Sequence, residues 1–401
     1  EKALLVEEKQ WEVVVGATKL HRFFLSLLIF MLGLSNAFAE MMVKGKTKVK
    51  TLFNFYSQNS KTGKQVLDNS GNEDVRVIEP QIFVKHQITE DTEINASFVL
   101  DTWTAESDTI LDGNTGASGE GKKGQARVAP NIGVRRESGK ATYGMNLGFS
   151  SEYDYTSKNI SLDYAHSFKN DNFTIGLGLQ YYADTVGLFQ DITPPQNAVM
   201  NKKHNRDIYA VSLGGSQILT RSDIVEFDAT YANSQGRLES TAGTVNINGT
   251  RELEALPGRR ERTAFSAKWV HAVGEEMSFH LSYRNYFDDW GSRAHTARLA
   301  YLFSLRDDQD FLEFAMRVHS QTAVDYYKDA FGTQERFMTS DSDMSKFTSL
   351  EPSVMYSHLL GDLKVFGMNL ADSEWATGAT YGKRNTGLSY AYLQTSLSVS
   401  F

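Results

Sequence analysis

The sequence contains no cysteine among its 401 residues. A disulfide framework and a thiolate metal site are therefore excluded. The sequence also lacks a basic excess, because 41 Lys and Arg face 49 Asp and Glu and give a net charge of -8. This charge gives no support for nucleic-acid binding, which normally uses a basic surface.

Long hydrophobic runs are absent after residue 39, where none approaches the roughly 20 residues of a membrane-spanning helix. A helical membrane protein is thereby excluded. One shorter apolar run, Phe23 to Leu34, follows the basic stretch Lys19 to Arg22 and precedes Ala37-Phe38-Ala39. This order predicts a signal peptide over 19–39, cleaved after Ala39, rather than an anchor. Residues 1–18 do not begin with Met and form an upstream segment of uncertain status.

Alternation of apolar and polar residues is the main pattern that is present. Apolar residues occupy every second position from Phe173 to Tyr181 and from Tyr143 to Phe149. Because strand side chains alternate between faces, each such stretch offers one apolar and one polar face. The predicted strands are 43–57, 75–88, 93–104, 125–137, 141–151, 158–168, 172–183, 206–219, 223–234, 262–273, 277–287, 294–305, 311–322, 347–360, 363–371 and 386–401.

The connections between these strands alternate between short and mostly long. The predicted short ones are 89–92, 138–140, 169–171, 220–222, 274–276, 306–310 and 361–362. The predicted long ones are 58–74, 105–124, 184–205, 235–261, 323–346 and 372–385, with 152–157 and 288–293 shorter. Outer-membrane barrels have short periplasmic turns and long external loops, whereas a soluble sandwich gives no reason for this rhythm. We therefore predict an all-β, transmembrane, antiparallel up-and-down barrel of about 16 strands over 40–401, with 14 as the alternative.

The last strand and the aromatic content support an outer-membrane location. Leu393, Leu397, Val399 and Phe401 share one face of the final stretch, which resembles the assembly signal of bacterial outer-membrane barrels. The 18 Tyr, 24 Phe and 5 Trp are enough for aromatic girdles at both membrane interfaces. The expected partners are outer-membrane lipids of a Gram-negative bacterium and, through the strand ending at Phe401, the barrel assembly machinery.

Three prolines fall within predicted strands, where each removes a hydrogen-bond donor. Pro80, Pro130 and Pro352 all lie about five residues after the external start of their strands. We therefore predict that they lie at the outer rim, where a bulge or water relieves the loss.

Strand parity predicts which charged side chains line the lumen, since charge on the lipid face is costly. The basic candidates are Lys44, Lys46, Lys48, Lys50, Lys85, Arg127, Arg135, Lys268, Arg284, Arg298 and Arg317. The acidic candidates are Glu79, Asp101, Asp163, Glu226, Asp228 and Glu313. The basic excess favours anionic solutes, unless these residues pair with each other across the barrel, as confined charges usually do.

Two clusters resemble sites of known chemistry without matching them. Ser292, His295 and Asp288-Asp289 contain the residue types of a hydrolytic triad, but no G-x-S-x-G motif accompanies them, and we expect no enzyme activity. Ser340 to Asp343, near Asp325 and Asp329, lacks the Gly and distal Glu of an EF-hand. It predicts an acidic loop that is solvated or loosely bridged by divalent ions at the cell surface, and no dedicated metal or cofactor site is expected.

The glycine-rich stretch Gly113 to Gly124 lacks the G-x-x-x-x-G-K-[ST] spacing of a phosphate loop. It predicts a flexible external loop.

Several segments resemble a family of Gram-negative outer-membrane proteins that is defined only as a domain of unknown function. The resemblance rests on Asp289 to Thr296, with its W-G-x-R-A-H-T run, on Ser320 to Tyr327 and on Ser345-Lys346-Phe347. Tyr283 to Phe287 and Val77 to Pro80 also fit the pattern. The resemblance implies a barrel over most of residues 43–401 and implies no activity.

These segments cluster at the external ends of four predicted strands. The side chains expected there as one polar and aromatic patch are Trp290, Arg293, His295, Gln321, Asp325 and Tyr326. The patch is either a packed rim with satisfied hydrogen bonds or a site that contacts solutes.

A barrel of this size leaves an aqueous channel unless loops fill it. The predicted function is therefore passive or facilitated passage of small hydrophilic solutes. The alternative is a non-conducting surface or partner-binding barrel whose lumen is filled by 184–205, 235–261 or 323–346.

Overall fold

The structure is a computed structural model that describes residues 42–60, 74–105, 125–168, 171–191, 199–241, 243–306, 308–365 and 367–401. The strands of these residues are β1 Thr47–Asn59, β2 Val75–Gln87, β3 Thr92–Ala105, β4 Gln125–Ser138, β5 Ala141–Ser151, β6 Tyr155–Phe168, β7 Phe173–Asp191, β8 Val199–Ile218, β9 Asp223–Gly236, β10 Thr244–Ile247, β11 Thr250–Leu253, β12 Arg259–Val273, β13 Met277–Asp288, β14 Arg293–Leu305, β15 Asp310–Gln321, β16 Phe347–Val365, β17 Met368–Arg384 and β18 Ser389–Ser400. None of the helical segments in the described ranges is long and apolar enough to cross a membrane.

All of these strands except β10 and β11 form one closed antiparallel barrel. Each barrel strand pairs with its neighbour in the chain, and β9 pairs with β12 because β10 and β11 form a separate hairpin. The first and last strands close the ring, with Lys48 opposite Ser400 and Asn59 opposite Ser389. The predicted fold class and the predicted 16 strands are confirmed for the described residues.

The two faces of the wall separate by parity as predicted. Large apolar side chains point outward, including Ile132 at 60% exposure and Leu393 at 56%. Their alternate neighbours are polar and buried, as in Asn54, Gln180 and Gln394. A continuous apolar exterior around a polar interior is the arrangement of a membrane barrel.

The prediction for the β16–β17 region is wrong. Strand β16 continues through Gly361-Asp362, which was predicted as a hairpin turn, and ends at Val365, opposite Met368 at the start of β17. Gly361 has a φ of +66° and marks an irregularity in pairing between Leu359 and Leu363. Residues 372–384 lie in β17 rather than in an external loop, so the connection to β18 is only 385–388.

The three prolines lie inside the wall and not at its rim. Pro80 is opposite Phe53, Pro130 is opposite Phe98 and Pro352 is opposite Met316, all within strands. On its other side each proline interrupts the ladder, as between Ile78 and Gln81, while the register continues unchanged. All three rings face outward, where they add to the apolar surface.

Three further predicted long loops adopt ordered structure. Most of 184–205 belongs to an extended β7–β8 hairpin, with Asp191 opposite Val199. Residues 237–258 and 322–346 pack together over one end of the barrel, and we call this unit the cap; residue 242 lies outside the described ranges. The predicted signal peptide, residues 1–18, the glycine-rich stretch and 61–73 also lie outside the described residues.

Candidate functional site

The first half of the cap contains a tight hairpin. Asn248 and Gly249 have φ angles of +51° and +84°, which fits the Asn-Gly turn preferred between two twisted strands. This turn pairs β10 with β11, so Thr244 lies opposite Leu253. The hairpin gives the first half of the cap a defined edge against which the second half can pair.

Backbone hydrogen bonds join the two halves of the cap. Phe331 N donates to Asn246 O at 2.7 Å, and Asn248 N donates to Phe331 O at 3.1 Å. Ala255 and Met338 exchange two further bonds, at 3.0 and 2.7 Å. The cap is therefore one folded unit built from two distant segments.

Two buried apolar clusters stabilise this unit. Val245, Phe331 and Met338 form the outer cluster, with Ile247 packed against it. The inner cluster consists of Leu256, Trp290, Val324 and Met344, with Leu238, Tyr326 and Tyr327 at its edge. Burial raises the pKa of the Tyr327 hydroxyl, which remains a neutral donor to Asp329 at 2.6 Å.

Polar contacts fix the cap to the barrel wall on two sides. The guanidinium of Arg384 on β17 pairs with Asp343, and both side chains are more than nine-tenths buried. On β15, Gln321 Nε2 donates to the carbonyl oxygens of Asp343 and Ser345, each at 2.8 Å. On the other side, Arg206 Nε of β8 donates to Arg237 O at 2.7 Å. The cap thus reaches from β8 to β17 across the mouth.

Trp290, in the β13–β14 connection, lies where the cap meets the wall. It is 2% exposed, and its Nε1 donates to Arg259 O at 2.8 Å. The guanidinium of Arg260 lies 4.5 Å from the centre of its ring, and Tyr326 contacts its ring edge-on at 5.8 Å. Asp288 then binds Arg260 Nε at 2.9 Å.

A cavity of about 140 Å³ lies between the inner surface of the cap and the wall. We call it the cap cavity. On the wall side it is lined by four arginines, Arg206, Arg260, Arg262 and Arg284. The cap side contributes Leu238, Val324 and Met344 together with Glu239, Asp341 and Asp343.

Several of the predicted lumen charges form pairs between strands. These inward-facing pairs include Arg127 with Asp101, Lys268 with Glu226, Arg298 with Glu313 and Arg317 with Glu351. Arg135 pairs with Glu137 of its own strand at 3.1 Å. In this part of the wall the lumen charges therefore neutralise one another, as the alternative prediction states.

The remaining predicted lumen residues have different positions. Lys48, Lys50, Lys85, Asp163 and Asp228 face inward from their strands, by the parity of their neighbours. Asp228 accepts from Thr230 Oγ1 at 2.9 Å. Lys44 and Lys46 were predicted on the first strand, but they precede β1, which begins at Thr47.

Glu79 is fully buried in a row of polar residues across the first strands. Its Oε1 accepts from Asn54 Nδ2 at 2.8 Å and from Gln81 Nε2. Asp101, on the adjacent strand, pairs with Arg127 and completes the row.

The predicted mouth patch is divided between the two faces of the wall. Trp290 and Gln321 contact the cap, and Tyr326 belongs to it. Arg293 and His295 instead point outward from β14, and the Tyr283 hydroxyl lies 2.6 Å from His295 Nδ1. Asp325 is exposed, although its backbone N donates to Trp290 O at 2.8 Å. The prediction that all six residues form a single patch is therefore wrong.

The structure does not bring the residues of the hydrolytic cluster together. Ser292 is buried, and its Oγ donates weakly to Thr322 O at 3.5 Å. His295 lies on the outer face, while Asp288 binds Arg260 and accepts from Ser292 N at 2.9 Å.

The predicted solvated acidic loop is also wrong. Ser340 to Asp343 is buried in the cap, where Asp341 accepts from Asp343 N at 2.9 Å and caps a short 3-10 turn at Ser342–Met344. Among the residues that the structure describes, no three His, Asp or Glu side chains are arranged to hold a metal ion.

Sequence reasoning missed Arg206, Arg260, Arg262 and Arg384 as inward residues. The predicted strands began or ended too close to these positions, so they were left in loops or at strand starts. Inward residues recur at every second position of a strand. Counting back from the inward Lys268 towards the start of β12 therefore identifies Arg262 and Arg260.

The closed barrel, its apolar exterior and its inward-folded cap define an outer-membrane type of β-barrel. The chain belongs to the family described as "Protein of unknown function (DUF3570)", whose model matches residues 32–374. The match supports the resemblance to a family of that kind and does not test the W-G-x-R-A-H-T signature. No curated protein shows significant sequence similarity to the chain.

Solved structures of similar shape are outer-membrane barrels. A bacterial polysaccharide outer membrane secretin has a TM-score of 0.49 at 9% identity and covers 90% of this chain and 100% of its own. Pseudomonas aeruginosa OccK1 (OpdK) has a TM-score of 0.41 at 8% identity, with 89% and 98% covered. The ferric-catecholate import receptor Fiu of E. coli K12 has a TM-score of 0.44 at 8% identity, with 90% and 82% covered. The likeness is one of barrel architecture and does not extend to a substrate.

Proposed function

We propose that the protein is an outer-membrane channel of a Gram-negative bacterium that lets small hydrophilic solutes pass through a constriction beneath the cap. The observation that carries this proposal is the cap cavity, where charged wall residues and an ordered cap meet inside a closed barrel. A barrel of 16 strands leaves space in its lumen, so the cap determines the width of the passage.

The outward apolar band fits the acyl chains of outer-membrane lipids. We further propose that β18, followed by Phe401, is the segment that the barrel assembly machinery recognises. Replacing Phe401 with Ala should lower the amount of folded barrel in the outer membrane of cells while leaving the total amount synthesised unchanged. Equal amounts of folded barrel for the wild type and the Phe401→Ala variant would contradict this role of β18.

The channel is tested by single-channel recording of the folded chain from Glu40 onward in a planar bilayer with a salt gradient. We expect stable current steps that are smaller than those of a barrel of this size without an inward-folded loop. Folding is verified beforehand by the change in gel mobility on heating.

A second candidate function is a non-conducting barrel that displays its cap to a partner. The contacts of the cap with both β8 and β17 favour it, because they span the mouth. A correctly folded barrel that shows no conductance over repeated insertions would support this candidate and contradict the channel function.

A further inference from the structure

We propose that Glu79 and Asp101 form a proton-binding site in the wall of the lumen, with one proton shared between their carboxyl groups. The two residues face inward from β2 and β3. Burial, hydrogen-bond contacts and charge support the shared proton, whereas its effect on ion passage rests on the proposed channel function.

The two carboxyl groups face each other across neighbouring strands. The register of β2 and β3 continues unchanged on both sides of Pro80, and it sets Glu79 directly opposite Asp101. Side chains that are opposite one another on the same face of a sheet have their Cβ atoms about 5 Å apart. At this separation the two carboxyl groups lie within hydrogen-bonding reach of each other.

Each of the two carboxyl groups has one oxygen that accepts from the protein and one that does not. Glu79 Oε1 accepts from Asn54 Nδ2 at 2.8 Å and from Gln81 Nε2. On the neighbouring strand, Asp101 Oδ2 accepts from Arg127 Nε. The other two oxygens, Glu79 Oε2 and Asp101 Oδ1, are buried and accept from no donor among the described residues.

A contact between two carboxyl groups needs a proton, because a carboxylate has acceptors only. Protonation of one group supplies an O–H donor, and this donor joins the two oxygens that have no other donor. Glu79 is 0% exposed and Asp101 is 5% exposed, so bulk water does not separate them. Two carboxylates this close and this far from water repel each other strongly, and sharing one proton removes the repulsion.

The charges around the pair also favour one proton. Arg127 on β4 supplies one positive charge, which it places against Asp101. The described inward side chains nearest to the pair on β1 to β4 are uncharged; they are Asn54, Tyr56, Val77, Gln81, Val99 and Ala129. With one shared proton, the two carboxyl groups and the guanidinium sum to zero. Without it, they leave a buried net negative charge, which is costly.

The site is tested by infrared difference spectroscopy on the folded chain in detergent, because a protonated carboxyl group has a C=O stretching band that a carboxylate lacks. We expect the wild type at neutral pH to show a band, equal to one carboxyl group per chain, that is lost in Glu79→Gln and in Asp101→Asn. Either variant leaves a single carboxylate near Arg127, and that carboxylate needs no proton.

Glu79→Gln resembles the protonated state. Its amide can accept the two hydrogen bonds that Glu79 Oε1 accepts and can donate to Asp101, so this variant should fold with the thermal stability of the wild type. The matched control is Glu313→Gln, which removes another buried inward carboxylate, one that Arg298 already pairs with, and should leave the band unchanged. If Asp101→Asn does not fold, raising the pH should remove the same band from the wild type.

In the proposed channel, release of the shared proton adds one negative charge to the wall of the lumen. Cation preference, measured by the reversal potential in a salt gradient, should therefore rise with pH in the wild type and rise less in Glu79→Gln. Equal pH dependence in the two proteins would contradict this effect on ion passage.

Identical infrared spectra for the wild type and Glu79→Gln would overturn the shared proton, and so would an equal loss of the band in Glu313→Gln. A metal ion in place of the proton would give no carboxyl band until a chelator removed it, and this outcome would also overturn the site. The infrared measurement needs no current, so a barrel that never conducts can still show the proton, and a conducting barrel can lack it.

Discussion

The wall beneath the cap and the cap cavity differ in how their arginines are held. On the wall, Arg298 and Arg317 face carboxylates on neighbouring strands, so charges cancel within a few ångströms. In the cap cavity, Arg206 and Arg262 donate to neutral oxygens and lie directly opposite Asp184 and Asp288 in the wall, while Asp343 pairs with Arg384 outside the cavity. Carboxylates therefore offset the arginines at both levels of the barrel, and around the cavity the arginines have neutral acceptors as well.

The largest effect is expected from releasing the cap. Asp343→Asn leaves Arg384 buried without its charge partner, which typically costs about 3–5 kcal/mol. We expect the cap to detach from β17, the single-channel conductance to rise, and residues 322–346 to become sensitive to proteases.

The matched control for this prediction is Glu335→Gln on the same half of the cap. Glu335 pairs with Lys328 at the exposed surface, where an ion pair contributes little. Should conductance and protease sensitivity stay unchanged in Asp343→Asn, the ion pair is not what holds the cap in place.

A smaller effect distinguishes the two charge arrangements. Arg262→Gln should shift the reversal potential in a salt gradient towards cation preference, because it removes a cation and leaves Asp288, directly opposite on β13, with Arg260 alone. Replacing both Arg317 and Glu351 with Gln removes a neutral pair and should leave the reversal potential nearly unchanged. An equal shift in both proteins would mean that the paired wall also determines selectivity.

The smallest effect is expected at the outer face of β14. Arg293 points away from the lumen, so Arg293→Ala should leave both conductance and ion preference unchanged in the planar bilayer. A clear change would place Arg293 on the solute path and contradict the inward and outward assignment of this strand.

The barrel itself could be predicted from the sequence because each strand carries its own signal. Alternation from Phe173 to Tyr181 assigns the faces of β7 without knowledge of any other strand. The error at Gly361 has a physical cause. A glycine with positive φ serves a tight hairpin and a bulge equally well, and the sequence around it does not separate the two.

The cap could not be predicted in the same way. The contact between Asn246 and Phe331 joins two loops that are far apart in sequence, and only the closed barrel brings them together. The acidic stretch Ser340 to Asp343 looks like a solvated loop because its buried partner, Arg384, lies in a segment that was predicted to be a loop. The wrong prediction for the segment that contains Arg384 thus led to the wrong prediction for Ser340 to Asp343.

The pairing of β1 with β18 has a consequence for the rate at which the barrel forms. Thr51 donates to Leu397 O across 346 positions of sequence, and closing a loop of that length costs roughly 5 kcal/mol in chain entropy. All other neighbouring barrel strands are adjacent in the chain or, for β9 and β12, separated only by a small hairpin, so they can form from local contacts. We expect the hairpins to assemble first and the ring to close in a slow final step, since non-local pairing must meet its entropic cost before its hydrogen bonds contribute.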